Sequence, residues 1–281
     1  MAVLELRHGS GTRYQPVRRP SAVWALSDAI VLARRSILET IRIPELVFFV
    51  AVQPIMFVLL FRYVFGGAIH VPGGQYVNFL MPGIFVQTVA FGSVTTAIGL
   101  TQDLQRGIID RFHSLPMSSS AVLTGRTFAD LVRNLFTVAI MLIVGFLVGF
   151  RPQGTILEFL LGIAVLMGVS FAFSWISAFV GLMVRSVEAA QSGGFIWLFP
   201  LTFASSAFVP VDTMPSWLQA FARHNPISVL ADSLRGLFHV NPAMTTADTR
   251  WALIQSVLWI AAILLVFVPV SVIRYRGTTA R

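Results

Sequence analysis

TQDLQRGIIDRFHSLPMSSSAVLTGRTFAD, residues 101–130, is an island of charge between two long apolar runs. It holds Asp103, Arg106, Asp110, Arg111, Arg126 and Asp130, while its flanks hold almost no charge. Leu104, Ile108, Phe112 and Leu115 recur every three or four residues, which predicts one apolar helix face. Arg106, Asp110 and His113 fall toward the other side. Pro116 ends the run, because proline lacks the N–H donor and clashes with the preceding turn. Two readings fit this spacing: a short amphipathic helix that docks a soluble partner at a membrane surface, and a solvated connecting loop.

The flanks decide the class. Of 281 residues, 56% are hydrophobic and 11% charged, with a mean hydropathy of +0.79. A soluble domain carries about 25% charged residues, so this chain lacks the charge to cover a soluble surface. It reads as a polytopic, all-α membrane protein. Cysteine is absent, which excludes disulfides, thiolate chemistry and cysteine metal sites. The five histidines, at 8, 70, 113, 224 and 239, lack metal-ligand spacing, and no metal is expected. All 20 basic residues are arginine. Basic excess on such a chain speaks to orientation in the bilayer, and no nucleic-acid partner is expected.

Residues 1–20 are polar and lack the apolar core of a secretory signal, so they read as a flexible N-terminus. Residues 21–42 predict an amphipathic helix, with Val23, Leu26, Ile30, Ala33, Ile37 and Ile41 on one face and Arg34, Arg35, Glu39 and Arg42 opposite. Such a helix lies in the membrane interface, arginines toward lipid phosphates, and is also placed to brace a cytoplasmic partner. Six spans are expected: 46–65, 76–100, 131–150, 159–184, 189–211 and 251–273. Arg62 snorkels to the headgroups through its aliphatic stem. Gln53 and Pro54 sit mid-span, and the cost of an unsatisfied amide in hydrocarbon favours a bond from Gln53 to a neighbouring helix. Small residues of the second span, Gly83 and Gly92 among them, suit close helix packing. Residues 212–250 predict two short amphipathic helices joined at Asn225-Pro226, each too short to span, which dip into the outer leaflet or lie on it. Residues 277–281 form a tail.

Arginine placement orients the spans. With the N-terminus inside, fifteen arginines lie on inner segments and four on outer ones (151, 223, 235, 250), Arg62 lying within a span. Both termini and the 101–130 region are therefore expected in the cytoplasm.

Four stretches carry a resemblance: LFRYVFGGAI at 60–69, YVNFLMPGIFVQTVAFGS at 76–93, QRGIIDRFHSLPMSSSAVLTGRTFADLVRN at 105–134 and HNPISVLADSLRGL at 224–237. With the order of parts, they resemble the daunorubicin-resistance branch of the ABC-2 type transporter permeases, from Ser21 to Arg276. The resemblance implies a single transmembrane domain over 21–276: an interface helix, six spans, a cytoplasmic coupling helix between spans two and three, and a re-entrant hairpin before span six. Arg106, Gly107, Ile108, Ile109, Asp110, Arg111 and Phe112 correspond to the coupling helix that rests on a separate ATP-binding subunit. Arg34, Arg35 and Glu39 belong to the interface helix, and Asn225, Pro226, Asp232 and Arg235 to the hairpin that closes the outer end. The chain has no G-x-x-x-x-G-K-[ST] loop and no lysine to complete one. ATP and Mg²⁺ are thus expected on the partner, with no catalytic residue or cofactor here. The resemblance further implies a bacterial plasma (inner) membrane location, a second permease as homodimer or heterodimer partner, and export of hydrophobic drug-like or lipid-like molecules.

Two rivals are weighed against that reading. An ion-coupled secondary transporter places Asp, Glu or His deep in its spans, and the six expected spans contain none. An intramembrane enzyme needs a paired acid and base. The only outer cluster is His224, Asp232 and Arg235, and Asp232 and Arg235, three apart on a helix, are expected to pair with each other.

Overall fold

The computed structural model describes residues 44–69, 71, 74–106 and 119–278. The expected interface helix, including Arg34, Arg35 and Glu39, lies outside them. So do Gly107, Ile108, Ile109, Asp110, Arg111 and Phe112, and residues 279–281. Among the described residues there is helix and no strand. The helices are α1 (Pro44–Leu59), α2 (Tyr76–Gly92), α3 (Val94–Gln105), α4 (Ser119–Val148), α5 (Ile156–Met183), α6 (Val187–Phe203), α7 (Ser216–His224), α8 (Pro226–Leu237) and α9 (Thr246–Thr278).

Among the described residues four segments are long and apolar enough to cross a bilayer: Tyr76–Gln105, Arg126–Val148, Ile156–Met183 and Thr246–Tyr275. The fold is thus all-α and largely membrane-embedded. Local chemistry sets the helix starts. Thr155 caps α5 in a reciprocal capping box with Glu158, and the Ser186 side chain caps α6. Asn225 caps α8, with Pro226 in its first turn where a missing N–H costs nothing. α1 contains Pro54 and passes into a π-helical stretch, Leu60–Phe65.

α2 and α3 form the centre. They are nearly one helix, interrupted at Ser93, whose hydroxyl donates back to the Ala90 carbonyl at 2.7 Å and meets Ser177 Oγ of α5 at 3.0 Å. Around them pack α1, α4, α5, α6 and α8. α9 sits outside, against α5 and α8, and turns Leu258, Leu265, Val266 and Ile273 outward. On a soluble protein that surface would be a liability, but against lipid it is the expected exterior. Because lipid is as apolar as leucine, packing rather than water exclusion holds these helices together. Phe85, Phe150 and Phe238 meet edge to face with centroids 5.8–6.5 Å apart. Gly83 admits a very close approach: a Cβ there would lie 2.0 Å from the Ala207 carbonyl oxygen.

Several expected boundaries move. The helix that begins at Tyr76 runs five residues past Leu100, to Gln105, and α4 begins at Ser119 rather than Leu131. The ends of the charged island are therefore helical, and charge there is tolerated because it pairs across the two helices. α6 stops at Phe203, with Pro200 in its last turn, so the remainder of the expected 189–211 span is irregular before a 3₁₀ turn at Val211–Thr213. α8 does not lie on a surface, since 11 of its 12 residues are buried. Gly83 and Gly92 serve contacts within this chain, Gly92 facing the Asn134 side chain.

Gly83→Val forces side-chain atoms onto backbone that has no room to yield. We expect it to lower stability by about 1–3 kcal/mol in thermal unfolding of the nanodisc-embedded protein. Gly67→Ala, which meets nothing within 4 Å, should stay within about 0.5 kcal/mol of the parent.

Candidate functional site

The charged end of the bundle is a braced hairpin. α3 and α4 run antiparallel, and two polar rungs join them. Arg126 pairs with Asp103. One helical turn further along α4, the Asp130 carboxylate accepts from the Thr96 hydroxyl and from Arg133, whose guanidinium also donates to Thr95 Oγ1. Asp130 is 5% exposed. A buried carboxylate is tolerable only when it is paired and hydrogen-bonded, and here one oxygen goes to Arg133 and the other to Thr96. Asp130 lies one residue outside the expected 131–150 span, and because α4 begins at Ser119 it is carried into the buried interior of the bundle. Neutral bonds reinforce the rungs. Asn134 donates to Ser170 Oγ at 2.7 Å, Thr101 donates to the Gly181 carbonyl at 3.0 Å, and Gln105 donates to the Arg185 carbonyl at 2.9 Å. Arg106 ends α3 in an exposed position.

The opposite end is built around an interrupted backbone. After α6, residues 204–210 are irregular and need partners other than helix neighbours. α8 and its cap supply them. Asn225 donates to the Leu201 and Ala204 carbonyls at 2.7 and 3.0 Å, and Ser228 Oγ accepts from the Ser206 N–H at 2.8 Å. Arg235 donates to the Ser206 carbonyl at 2.7 Å, to Ser206 Oγ at 3.0 Å, to the Phe79 carbonyl at 3.0 Å and to Asp232 at 2.6 Å. Its guanidinium also stacks 3.6 Å from the centroid of the Phe79 ring. Tyr76 closes the same segment by donating to the Phe208 carbonyl at 2.8 Å. Arg235 is fully buried, and burial pulls its pKa down while the Asp232 carboxylate opposes the shift. The expected Asp232–Arg235 pair is present, but it also binds α2 and the α6 exit. His224 instead contacts the Ala220 carbonyl at 3.0 Å, so the three residues weighed for chemistry form no acid–base couple. Arg235, counted among the outer arginines, is thus an interior residue.

Between these ends lies an open cavity of about 160 Å³ bounded by α1, α2, α3 and α6. Phe57, Phe91, Phe195, Val94 and Ile98 supply its apolar walls; Gln53, Gln87, Thr88 and Thr95 supply its polar atoms. Gln53 lines the cavity rather than tying α1 to a neighbour. From the cavity a ladder of phenylalanines continues along α6 and α1: Phe91 to Phe195, Phe195 to Phe199, Phe199 to Phe203, Phe203 to Phe208 and Phe208 to Phe61, at centroid distances of 4.5–5.8 Å. Sequence reasoning missed both Gln87 and the ladder. The signal available was Phe195, Phe199 and Phe203 at helical spacing of four. Among the described residues no group of three His, Cys, Asp or Glu is placed to hold a metal ion.

The structure is thus a largely membrane-embedded helical bundle with an ion-paired hairpin at one end, a latched, buried helix at the other and an aromatic cavity between. The match to known proteins is specific: residues 28–239 fit the ABC-2 type transporter model, and the chain belongs to that family. A daunorubicin resistance ABC transporter permease of Streptomyces coeruleorubidus is 32% identical over 262 residues, covering 93% of this chain and 90% of the relative. A probable doxorubicin resistance ABC transporter permease of Mycobacterium tuberculosis is 26% identical over 228 residues, 80% of this chain and 79% of that one. A probable multidrug ABC transporter permease of Escherichia coli is 23% identical over 172 residues, 59% of this chain and 45% of that one. The chain is therefore the membrane-embedded, non-catalytic permease component of an ABC-type transporter, and an ATP-binding partner is the family-level expectation.

Removing one member of a buried charge pair strands the other groups it served. Arg235→Met should cost about 3–5 kcal/mol and loosen residues 204–210 in hydrogen exchange. Asp232 is 40% exposed at its side chain, so Asp232→Asn, which still accepts from Arg235, should cost only about 1 kcal/mol. Equal losses in denaturant-induced unfolding would contradict the asymmetry drawn here.

Proposed function

We propose that this chain is the permease of an ATP-driven exporter that moves hydrophobic drug-like or lipid-like molecules out of the cytoplasm of a bacterium. The relatives named above include a permease for daunorubicin resistance and one for doxorubicin resistance, and the apolar, phenylalanine-walled cavity suits that class of molecule. Six spans cross the plasma membrane: α1 with its π-helical end, α2–α3, α4, α5, α6 with its irregular exit, and α9. Both termini face the cytoplasm, as does the 101–130 region.

The observation that carries the mechanism is the double rung between α3 and α4. A flexible loop transmits little force. A hairpin clamped by Asp103–Arg126 and Thr96–Asp130 passes a push at its tip directly into the helix that lines the cavity. In this reading Arg106 and Gly107–Phe112, which follow α3 in the sequence, act as the coupling helix on a separate ATP-binding subunit that holds ATP and Mg²⁺. Asp110 and Arg111 make charge-assisted contacts there and Phe112 fills an apolar pocket. The amphipathic 21–42 helix braces the same partner. Closure of the ATPase then tilts the permease by rigid-body motion between inward- and outward-open states. Because one permease encloses half a pathway, a second copy or a related permease completes it. Asn225, Pro226, Asp232 and Arg235 close the outer end.

Asp130 supplies the one observation that favours a second reading, ion-coupled transport, because a buried acid is what a proton-driven carrier uses. Its oxygens are engaged by Arg133 and Thr96, which suits a brace better than a shuttle.

Uptake of a hydrophobic drug panel into inverted vesicles containing the permease and its ATPase separates the readings. ATP-dependent uptake is expected, with a loss of tenfold or more on Asp110→Ala with Arg111→Ala. Uptake that ignores ATP and collapses with a protonophore would favour the ion-coupled alternative.

A further inference from the structure

Two threonines of α3 and two charged residues of α4 close a polar ring. The Thr96 hydroxyl donates to one oxygen of Asp130 and Arg133 donates to the other. The same guanidinium donates to Thr95 Oγ1, beside Thr96 in the chain. Thr96 and Asp130 are buried, and neither lines the cavity between α1, α2–α3 and α6. Thr95 does line it. Among the described residues, Thr95 is the cavity's one polar side chain with a hydrogen bond to another helix. Thr88, also on the wall, donates only within its own helix, to the Ile84 carbonyl at 2.7 Å. The Thr95 hydroxyl donates to the Gly92 carbonyl at 2.6 Å and accepts from Arg133, so its direction is set from both sides. A β-branched side chain carries its methyl and hydroxyl on one carbon, so a shift of the hydroxyl moves the whole side chain at the wall.

We propose that Thr95 is a positioning residue that links the ring to the cavity: the closed ring holds the wall in its binding form, and opening the ring weakens the hold on the guest. The proposal rests on the export reading for its place in the cycle, where the ATPase shifts α3 against α4. Coupling of this kind needs an element with two discrete arrangements that both sites bias. The ring has them. When α3 moves along α4, Thr95 and Thr96 leave together, because they are adjacent on one helix. Asp130 meanwhile keeps Arg133, its partner three residues away on α4. The buried carboxylate therefore stays paired in both arrangements, which keeps the open one within reach. Linkage then runs both ways: a guest packed against Thr95 favours the closed ring by the same factor that the closed ring favours the guest.

The test is a mutant cycle read as equilibrium binding of 2-naphthol, a small fluorescent aromatic, to the permease in nanodiscs, with binding to empty nanodiscs subtracted. Thr96→Val opens the ring without altering a residue that lines the cavity, and it should weaken binding about fivefold, the low end of coupling between sites. Made together with Thr95→Val, the same change should have no effect. Made together with Thr95→Ser, which keeps the hydroxyl, or with Thr88→Val, it should keep its effect. A Thr96→Val effect that survives Thr95→Val overturns the proposal. So does the lack of any effect in the parent chain, or the lack of saturable binding there. If Thr96→Val fails to assemble, hydrogen exchange across 94–105 decides: 2-naphthol should slow it about fivefold in the parent chain and leave it unchanged in Thr95→Val, and unchanged exchange in the parent overturns the proposal. Neither measurement contains an ATPase. Coupling without ATP-dependent uptake therefore sinks the export reading alone, and uptake without coupling sinks the role of Thr95 alone.

Discussion

In a bilayer every backbone N–H and C=O must find its partner inside the protein, and this constraint shapes the molecule most where helix α6 ends early. Residues 204–210 leave the helix with their polar groups unserved. The fold answers by inserting α8 beside them and giving it Asn225, Ser228 and Arg235, which together bind four backbone atoms of Leu201, Ala204 and Ser206. Arg235 then reaches on to the Phe79 carbonyl of α2. The N-P-x-S-x-L-x-D-x-L-R-G run at 225–236 is thus a set of side chains that makes a broken helix tolerable in the buried interior, and its aspartate keeps the arginine's charge in balance.

The other end of the bundle solves a different problem. Here charge must be held inside a helical bundle, where each carboxylate needs a partner. Asp103, Arg126, Asp130 and Arg133 are divided between α3 and α4 so that each acid meets a base, and Thr95 and Thr96 absorb the remaining hydrogen-bonding capacity. The consequence reaches the cavity, because α3 carries both kinds of residue. Val94, Thr95 and Ile98 line the cavity while Thr96 and Asp103 hold the clamp. Residues that would feel an ATPase and residues that would feel a substrate therefore share one helix.

Apolar runs and cap residues made much of the helical layout legible beforehand. Asn225-Pro226 announced a helix start, and Ser216–His224 and Pro226–Leu237 meet there. Asp232 and Arg235, three apart, announced a pair that is present. What stayed hidden depends on contacts between distant segments. Asp130 looked like loop, because no local signal reveals that Thr96 waits 34 positions earlier to receive it. The apolar run at 189–211 did not reveal that α6 would stop at Phe203 or that its exit would be carried by another helix. α8 has a polar side, which reads as a surface helix, yet that side faces the polar backbone of its neighbours.

The account stands on the clamp and the latch lying on opposite sides of the membrane. The chain contains no cysteine, so single cysteines introduced at Arg106 and Asp212, both exposed, can be labelled without background. A membrane-impermeant maleimide applied to intact cells should modify the cysteine at position 212 and spare that at 106, with the reverse pattern in inverted vesicles. Labelling of both positions from the same side would contradict the two-ended arrangement and the coupling role built on it.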